Sequence, residues 1–198
     1  ALLADNVNNP NLFLSKLVEL LEYYTNRTMR TSQSAKRLSL LSYFTPSQIL
    51  RQIERELQPR VEMVPEKGAI LVTTLWRKNI FECRLLSARL LGMLQPAFAI
   101  PLLTQIPTWL AQSPDKEIRY ALLTDSLARI RKENRDAFFL LLEDWLKSPR
   151  PVMQVWGMQA LIPMLLESDF VNLPSVFRIL HPAVVSVSPA TQMDLQKC

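Results

Sequence analysis

With 198 residues, 48% hydrophobic and 21% charged, the chain has the apolar content for one sizeable core and too much of it for a disordered polymer. Three glycines beside 14 prolines exclude Gly-rich phosphate loops, dinucleotide fingerprints and hairpin-dense β folds, because those backbones need positive φ repeatedly. The balance of 23 Lys and Arg over 18 Asp and Glu, a net +5, is compatible with a polyanionic partner without requiring one.

In chain order, Pro10-Asn11-Leu12 opens a first helix in which Leu14, Leu17, Leu20 and Leu21 share one apolar face, ending near Thr25-Asn26-Arg27. A second helix is expected over Ser32 to Tyr43. Thr45-Pro46 signals a third, with Thr as cap and Pro in the first turn, running to about Gln58 and stopping at Pro59. Residues 59–68, PRVEMVPEKG, carry two prolines and a glycine and read as a linker between an N-terminal helical piece (1–58) and a regular array (69–180). Within the array, Gln95-Pro96, Ser113-Pro114, Lys132-Glu133-Asn134 and Ser148-Pro149 punctuate short helices, so consecutive helices run antiparallel. Residues 181–198 read as a tail, with Val184 to Ser188 briefly alternating.

Three tryptophans give the array its period. Leu75-Trp76, Thr108-Trp109 and Asp144-Trp145 each close a helix-like stretch, 33 and then 36 residues apart. A polar turn and a second apolar helix follow each one, and Glu82-Cys83-Arg84 aligns with Glu117-Ile118-Arg119. Such a period implies stacked helical hairpins, each burying its apolar face on its neighbours. The expected fold is all-α, a single domain of antiparallel hairpins stacked as a right-handed α-solenoid. Binding would use the concave surface made by the second helices.

The stretch Ser113-Pro114-Asp115-Lys116-Glu117-Ile118-Arg119-Tyr120-Ala121 resembles the second-helix signature of HEAT repeats. In that family, acidic and basic residues of successive repeats form a ladder. The resemblance implies such a role for Glu82, Arg84, Asp115, Glu117 and Arg119, and a break at Met153-Gln154-Val155. More narrowly, Trp76 to Ala88 (WRKNIFECRLLSA) and Asp144-Trp145-Leu146-Lys147-Ser148 resemble elements of the bacterial alkylpurine DNA glycosylases built from HEAT-like repeats (DNA alkylation repair, D type). Ser42 to Ser47 is a looser echo of the same family. The resemblance spans roughly residues 35–165. It implies a DNA-binding groove and hydrolysis of an N-glycosidic bond, with a carboxylate stabilising the oxocarbenium and orienting water. The family's aspartate position falls near Tyr120 and its arginine position near Val155, and neither residue is kept. Either this register is shifted, or the chain has the scaffold without the chemistry.

Among candidate chemical groups, His181 is the single histidine and Cys83 lies on an apolar helix, so neither a metal site nor a catalytic triad is expected, and no cofactor. Cys83 and Cys198 make no disulfide framework, which points to a reduced, cytoplasmic setting. The opening ALLADNVNNP lacks the build of a signal peptide, and starting at Ala1 it leaves the natural start open. Asp125, in the mostly apolar LLTDSL, is the candidate catalytic carboxylate. The alternative is a surface Asp paired with Arg129 at i+4. Glu143-Asp144 diverge on a helix and make a poor acid–base pair. Basic residues crowd at Arg27, Arg30, Lys36 and Arg37, at Arg77 and Lys78, and at Arg129, Arg131, Lys132 and Arg135. Recurring at repeat turns, bases line up as a stripe that tracks phosphates. Arg77, Lys78, Arg119, Arg129, Arg131 and Lys132 are the expected phosphate contacts. Trp109 and Trp156 are the candidate base-stacking rings. The leading expectation is a nucleic-acid-binding, glycosylase-like repeat protein of doubtful catalytic activity with DNA as partner. The alternative is a scaffold gripping a protein partner on the concave face.

Overall fold

A computed structural model describes residues 3–25, 40–167, 174 and 176–179. Among these residues the chain is helical, with ten α-helices, a short 3-10 helix and no strand. No helix there is long and apolar enough to cross a membrane. The chain divides into two compact units, Ala1–Arg129 and Ile130–Cys198, where the sequence reading expects one domain.

The first unit begins with the 3-10 turn Ala4–Asn6 and α1, Pro10–Tyr23. Pro10 takes the first turn, as read, and Asn9, which the sequence reading does not name, caps the helix by accepting the Leu12 amide on Oδ1 at 3.2 Å. Phe13, Leu14, Leu17 and Leu21 are buried. Of the helix expected over 32–43, residues 32–39 lie outside the described residues, and Leu40 to Tyr43 is not helical. Residues 41–46 instead run extended beside the start of a later helix, with Phe81 N donating to Leu41 O at 2.8 Å. The buried Glu82 carboxylate explains this. Its Oε1 accepts Ser42 Oγ (2.8 Å), Tyr43 N (2.9 Å) and Thr45 N (3.4 Å), so the backbone there is satisfied without a helix. Phe44, at φ 53, is the single described non-glycine residue in the left-handed region, and its amide donates to Ser42 Oγ.

Helix α2, Ser47–Met63, follows with Pro46 rather than Thr45 at its N-cap, and the Thr45 side chain makes no cap bond. It also runs through Pro59, contrary to the expected stop, because the buried stripe Leu50, Ile53, Leu57, Val61 continues across it. Residues 59–68 are accordingly not a linker. They are the last turn of α2 and the first turn of α3, Pro65–Trp76, joined at Val64. Gly68 lies where these two helices touch, and a β-carbon there would meet Val61 Cγ1 at 2.8 Å.

Helix α4, Phe81–Leu91, is the centre of this unit, packed against α2, α3 and a later helix α7, with ten of its eleven residues buried. Then come α5 (Pro96–Leu103), α6 (Ile106–Ala111) and α7 (Lys116–Leu123). The division between the units falls inside α8, Ala128–Glu133. The second unit holds α9 (Arg135–Leu146), capped by Asn134 Oδ1 on the Ala137 amide, packed against α10 (Pro151–Leu165). The three tryptophans close α3, α6 and α9 near their C-terminal ends. Each is followed by a short turn and another helix. The tail from 181, with His181 and Cys198, and the group Arg27, Arg30, Lys36 and Arg37 lie outside the described residues.

Candidate nucleic-acid interface

The first two hairpin turns are locked together by aromatic and cationic stacking. Trp76 and Trp109 lie ring on ring, centroids 4.4 Å apart and planes 14° from parallel. Arg84 covers the Trp76 ring with its guanidinium carbon 4.9 Å from the centroid. The same guanidinium donates to Asn79 Oδ1 at 2.8 Å and to Gln112 O at 3.3 Å. One side chain thus ties the turn after α3 to the turn after α6. Burial lowers the Arg84 pKa, and the nearby Asp115 carboxylate opposes that. Of the residues to which the resemblance gives a ladder role, Arg84 and Asp115 are buried and near enough for the carboxylate to act on the guanidinium, whereas Glu117 is exposed and Arg119 half-buried.

Cations flank both of the turns that this clasp joins. Arg77 and Lys78 are exposed in the first turn, and Lys116 and Arg119 follow the second on α7. None of these four enters an ion pair among the described residues, so their charge is available to an anion.

The other expected contacts are engaged within the protein. Arg129 donates to Met93 O at 2.6 Å and lies 3.6 Å from Glu62, and Arg131 is bonded to Glu167 at 2.9 Å. Lys132 is exposed at the end of α8. Trp109, 4% exposed, is closed in its stack, and Trp156 is buried on the inner face of α10, so neither ring is open to a base. Gly157 lets α10 approach Trp145 and Leu146 of α9, with a β-carbon falling 3.0 Å from Leu146 Cγ.

Asp125 is held, but not by Arg129. Arg89 Nε lies 3.4 Å from Asp125 Oδ2, Arg89 also bonds Glu54 at 2.6 Å, and Thr124 Oγ1 donates to Asp125 Oδ1. Burial pulls the Arg89 pKa down, but Glu54 and Asp125 more than offset this and leave it above the usual arginine value. The row Glu54–Arg89–Asp125 joins α2, α4 and the turn after α7. There the chain is so close that a β-carbon on Gly92 would sit 1.9 Å from Asp125 O. Cys83, buried in α4, has its thiol pKa pushed up to about 12 by burial, with Glu82 adding to the shift, so it stays a neutral thiol.

Sequence reasoning missed Glu54, Arg89 and Glu167, although a signal existed. Glu54 and Arg89 are 35 residues apart, Arg131 and Glu167 36, and the Arg129–Met93 bond also spans 36. These separations lie close to the 33- and 36-residue spacings of the tryptophans.

Comparison with protein-family models, with curated proteins and with solved structures finds no match for this chain.

Proposed function

We propose that the chain is a HEAT-like helical-repeat protein, related to the alkylpurine DNA glycosylases, that binds a nucleic-acid backbone through the turn edge of its first unit and does not use Asp125 for catalysis. The solenoid arrangement is part of this reading. It is supported by the hydrogen bonds and ion pairs that recur at separations of 35 and 36 residues, because contact between residue i and residue i plus one period is what stacked repeats produce.

The observation that carries the function is the Arg84 clasp. It joins the turn that holds Arg77 and Lys78 to the turn that leads to Lys116 and Arg119, and among the described residues none of these four cations enters an ion pair. Phosphates are bound by cations of this kind, held at fixed spacing on a rigid edge. Arg129 and Arg131, already paired, contribute to shape rather than to binding. Asp125 has its charge answered by Arg89, so it is a poor candidate for stabilising a developing cation.

The test is binding of duplex DNA across a salt series. Each phosphate contact adds about 0.9 to the log–log slope, so the double variant Arg77→Ala, Lys78→Ala is expected to lose affinity at low salt and reduce the slope by about two. No binding at the lowest salt overturns the reading. For the catalytic half, no release of methylated purines from alkylated DNA is expected. Release that disappears in Asp125→Asn would restore the enzyme.

A further inference from the structure

Building on the backbone-binding reading above, we infer that Tyr120 of α7 stacks on the base of an unpaired nucleotide whose phosphate is taken by Lys116. The protein then favours single-stranded over duplex DNA.

The chain has four tyrosines, and three of them have a use within the fold. Tyr43 is buried and its hydroxyl donates to Glu22 at 3.3 Å. Tyr23 and Tyr24 meet edge to face, with ring centroids 5.0 Å apart. Tyr120 is 66% exposed, and among the described residues its ring meets no other ring and no guanidinium. The pattern of α7 explains the exposure. Ile118, Ala121, Leu122 and Leu123 are its buried residues, which leaves Lys116, Glu117 and Tyr120 on the solvent side. The backbone beneath the ring is tied down, because the Tyr120 carbonyl accepts both the amide and the hydroxyl of Thr124, at 2.9 and 2.8 Å.

The neighbours of the ring select the ligand. Lys116, exposed and in no ion pair among the described residues, lies one turn earlier. Side chains four apart on a helix are neighbours, with about 5 to 6 Å between their β-carbons. Glu117, three residues before the ring, is exposed as well and repels a phosphate. A bare anion meets both signs of charge here, whereas a nucleotide sorts them. Its phosphate goes to Lys116, the flat face of its base to Tyr120, and an exocyclic amine of the base donates to the Glu117 carboxylate. In a duplex the base faces are closed by their neighbours, and only edges and phosphates are reachable, so the ring adds nothing there. Every base has a π-face, so this contact tolerates any sequence and requires only that the base be unpaired.

The experiment is fluorescence anisotropy on the full chain across a salt series. The probes are a labelled DNA strand of low self-complementarity and the duplex it forms with its complement. The single strand is expected to bind more tightly. Tyr120→Ala should lower its affinity about tenfold, with duplex affinity unchanged, and Tyr120→Phe should bind as wild type because the stacking face remains. Stacking releases no counterions, so Tyr120→Ala should leave the single-strand salt slope intact, whereas Lys116→Ala should reduce it by about 0.7. Both side chains are exposed, so each variant should keep the wild-type circular dichroism spectrum. A single strand bound no more tightly than the duplex, or an equal loss on both probes in Tyr120→Ala, overturns the inference. Duplex binding that depends on Arg77 and Lys78, beside a Tyr120→Ala variant that binds single strands as wild type does, overturns this inference alone. Binding of neither probe overturns it together with the backbone-binding reading.

Discussion

Helices α4 and α10 both follow a tryptophan-closed helix and a polar turn, yet their composition and their burial are reversed. Helix α4 carries Glu82, Arg84 and Arg89 and buries ten of eleven residues, whereas α10 carries no charge and buries six of fifteen. The charges of α4 are tolerated inside because each has a partner. Glu82 receives the 42–45 segment, Arg84 ties two turns, and Arg89 lies between Glu54 and Asp125. Position in the packing, with α2, α3 and α7 against α4 and, among the described helices, chiefly α9 against α10, decides burial. Hydrophobicity decides only what burial costs.

The contrast is broken or sharpened most strongly by the same substitution on both helices. Leu86→Glu places an unpaired carboxylate at a fully buried site of α4 and is expected to cost at least about 4 kcal/mol, enough to unfold the first unit. Ile162→Glu on the open face of α10 is expected to stay within about 0.5 kcal/mol. Urea denaturation of the two variants checks this, and similar losses at the two sites would erase the distinction.

Glycines give the next largest difference. At Gly92 a β-carbon collides with backbone, the Asp125 carbonyl, so Gly92→Ala is expected to cost about 3 kcal/mol as the turn after α7 is forced away from the end of α4. At Gly157 the obstacle is the Leu146 side chain, which can change rotamer. The gain in helix propensity offsets part of the strain, and Gly157→Ala should fall within about 1 kcal/mol of wild type. Thermal unfolding midpoints measure both.

The smallest effect concerns pH. The Cys83 thiol has a folded pKa raised to about 12, above its unfolded value, so the folded state keeps its proton where the unfolded chain loses it. This contribution is fully present below the unfolded thiol pKa and is lost as pH rises toward about 12. Stability should therefore fall with rising alkaline pH more steeply in wild type than in Cys83→Ala, as read from urea midpoints at successive pH values. Equal slopes would mean that the thiol is not sealed within α4.

Much of the helical order was legible locally. Asn9-Pro10 and Asn134 cap helices as their side chains dictate, and the tryptophan spacing marks three helix–turn–helix units. The errors share one cause. Ser42 to Thr45 abandons helix for a carboxylate 37 to 40 residues away, and Pro59 is carried through by a buried stripe that local punctuation does not weigh. Asp125 was matched to a partner four residues on, because a helix surface shows its neighbours in sequence. Its actual partner, Arg89, lies 36 residues earlier.

Local pattern therefore determined the helical class and most turn positions, because caps, prolines and apolar spacing act over a few residues. Which charges are buried, which cations remain open to an anion and which face of α10 lacks a cover were decided by tertiary packing. Those properties depend on groups some three dozen residues apart being brought within hydrogen-bond reach, and no local pattern encodes that distance.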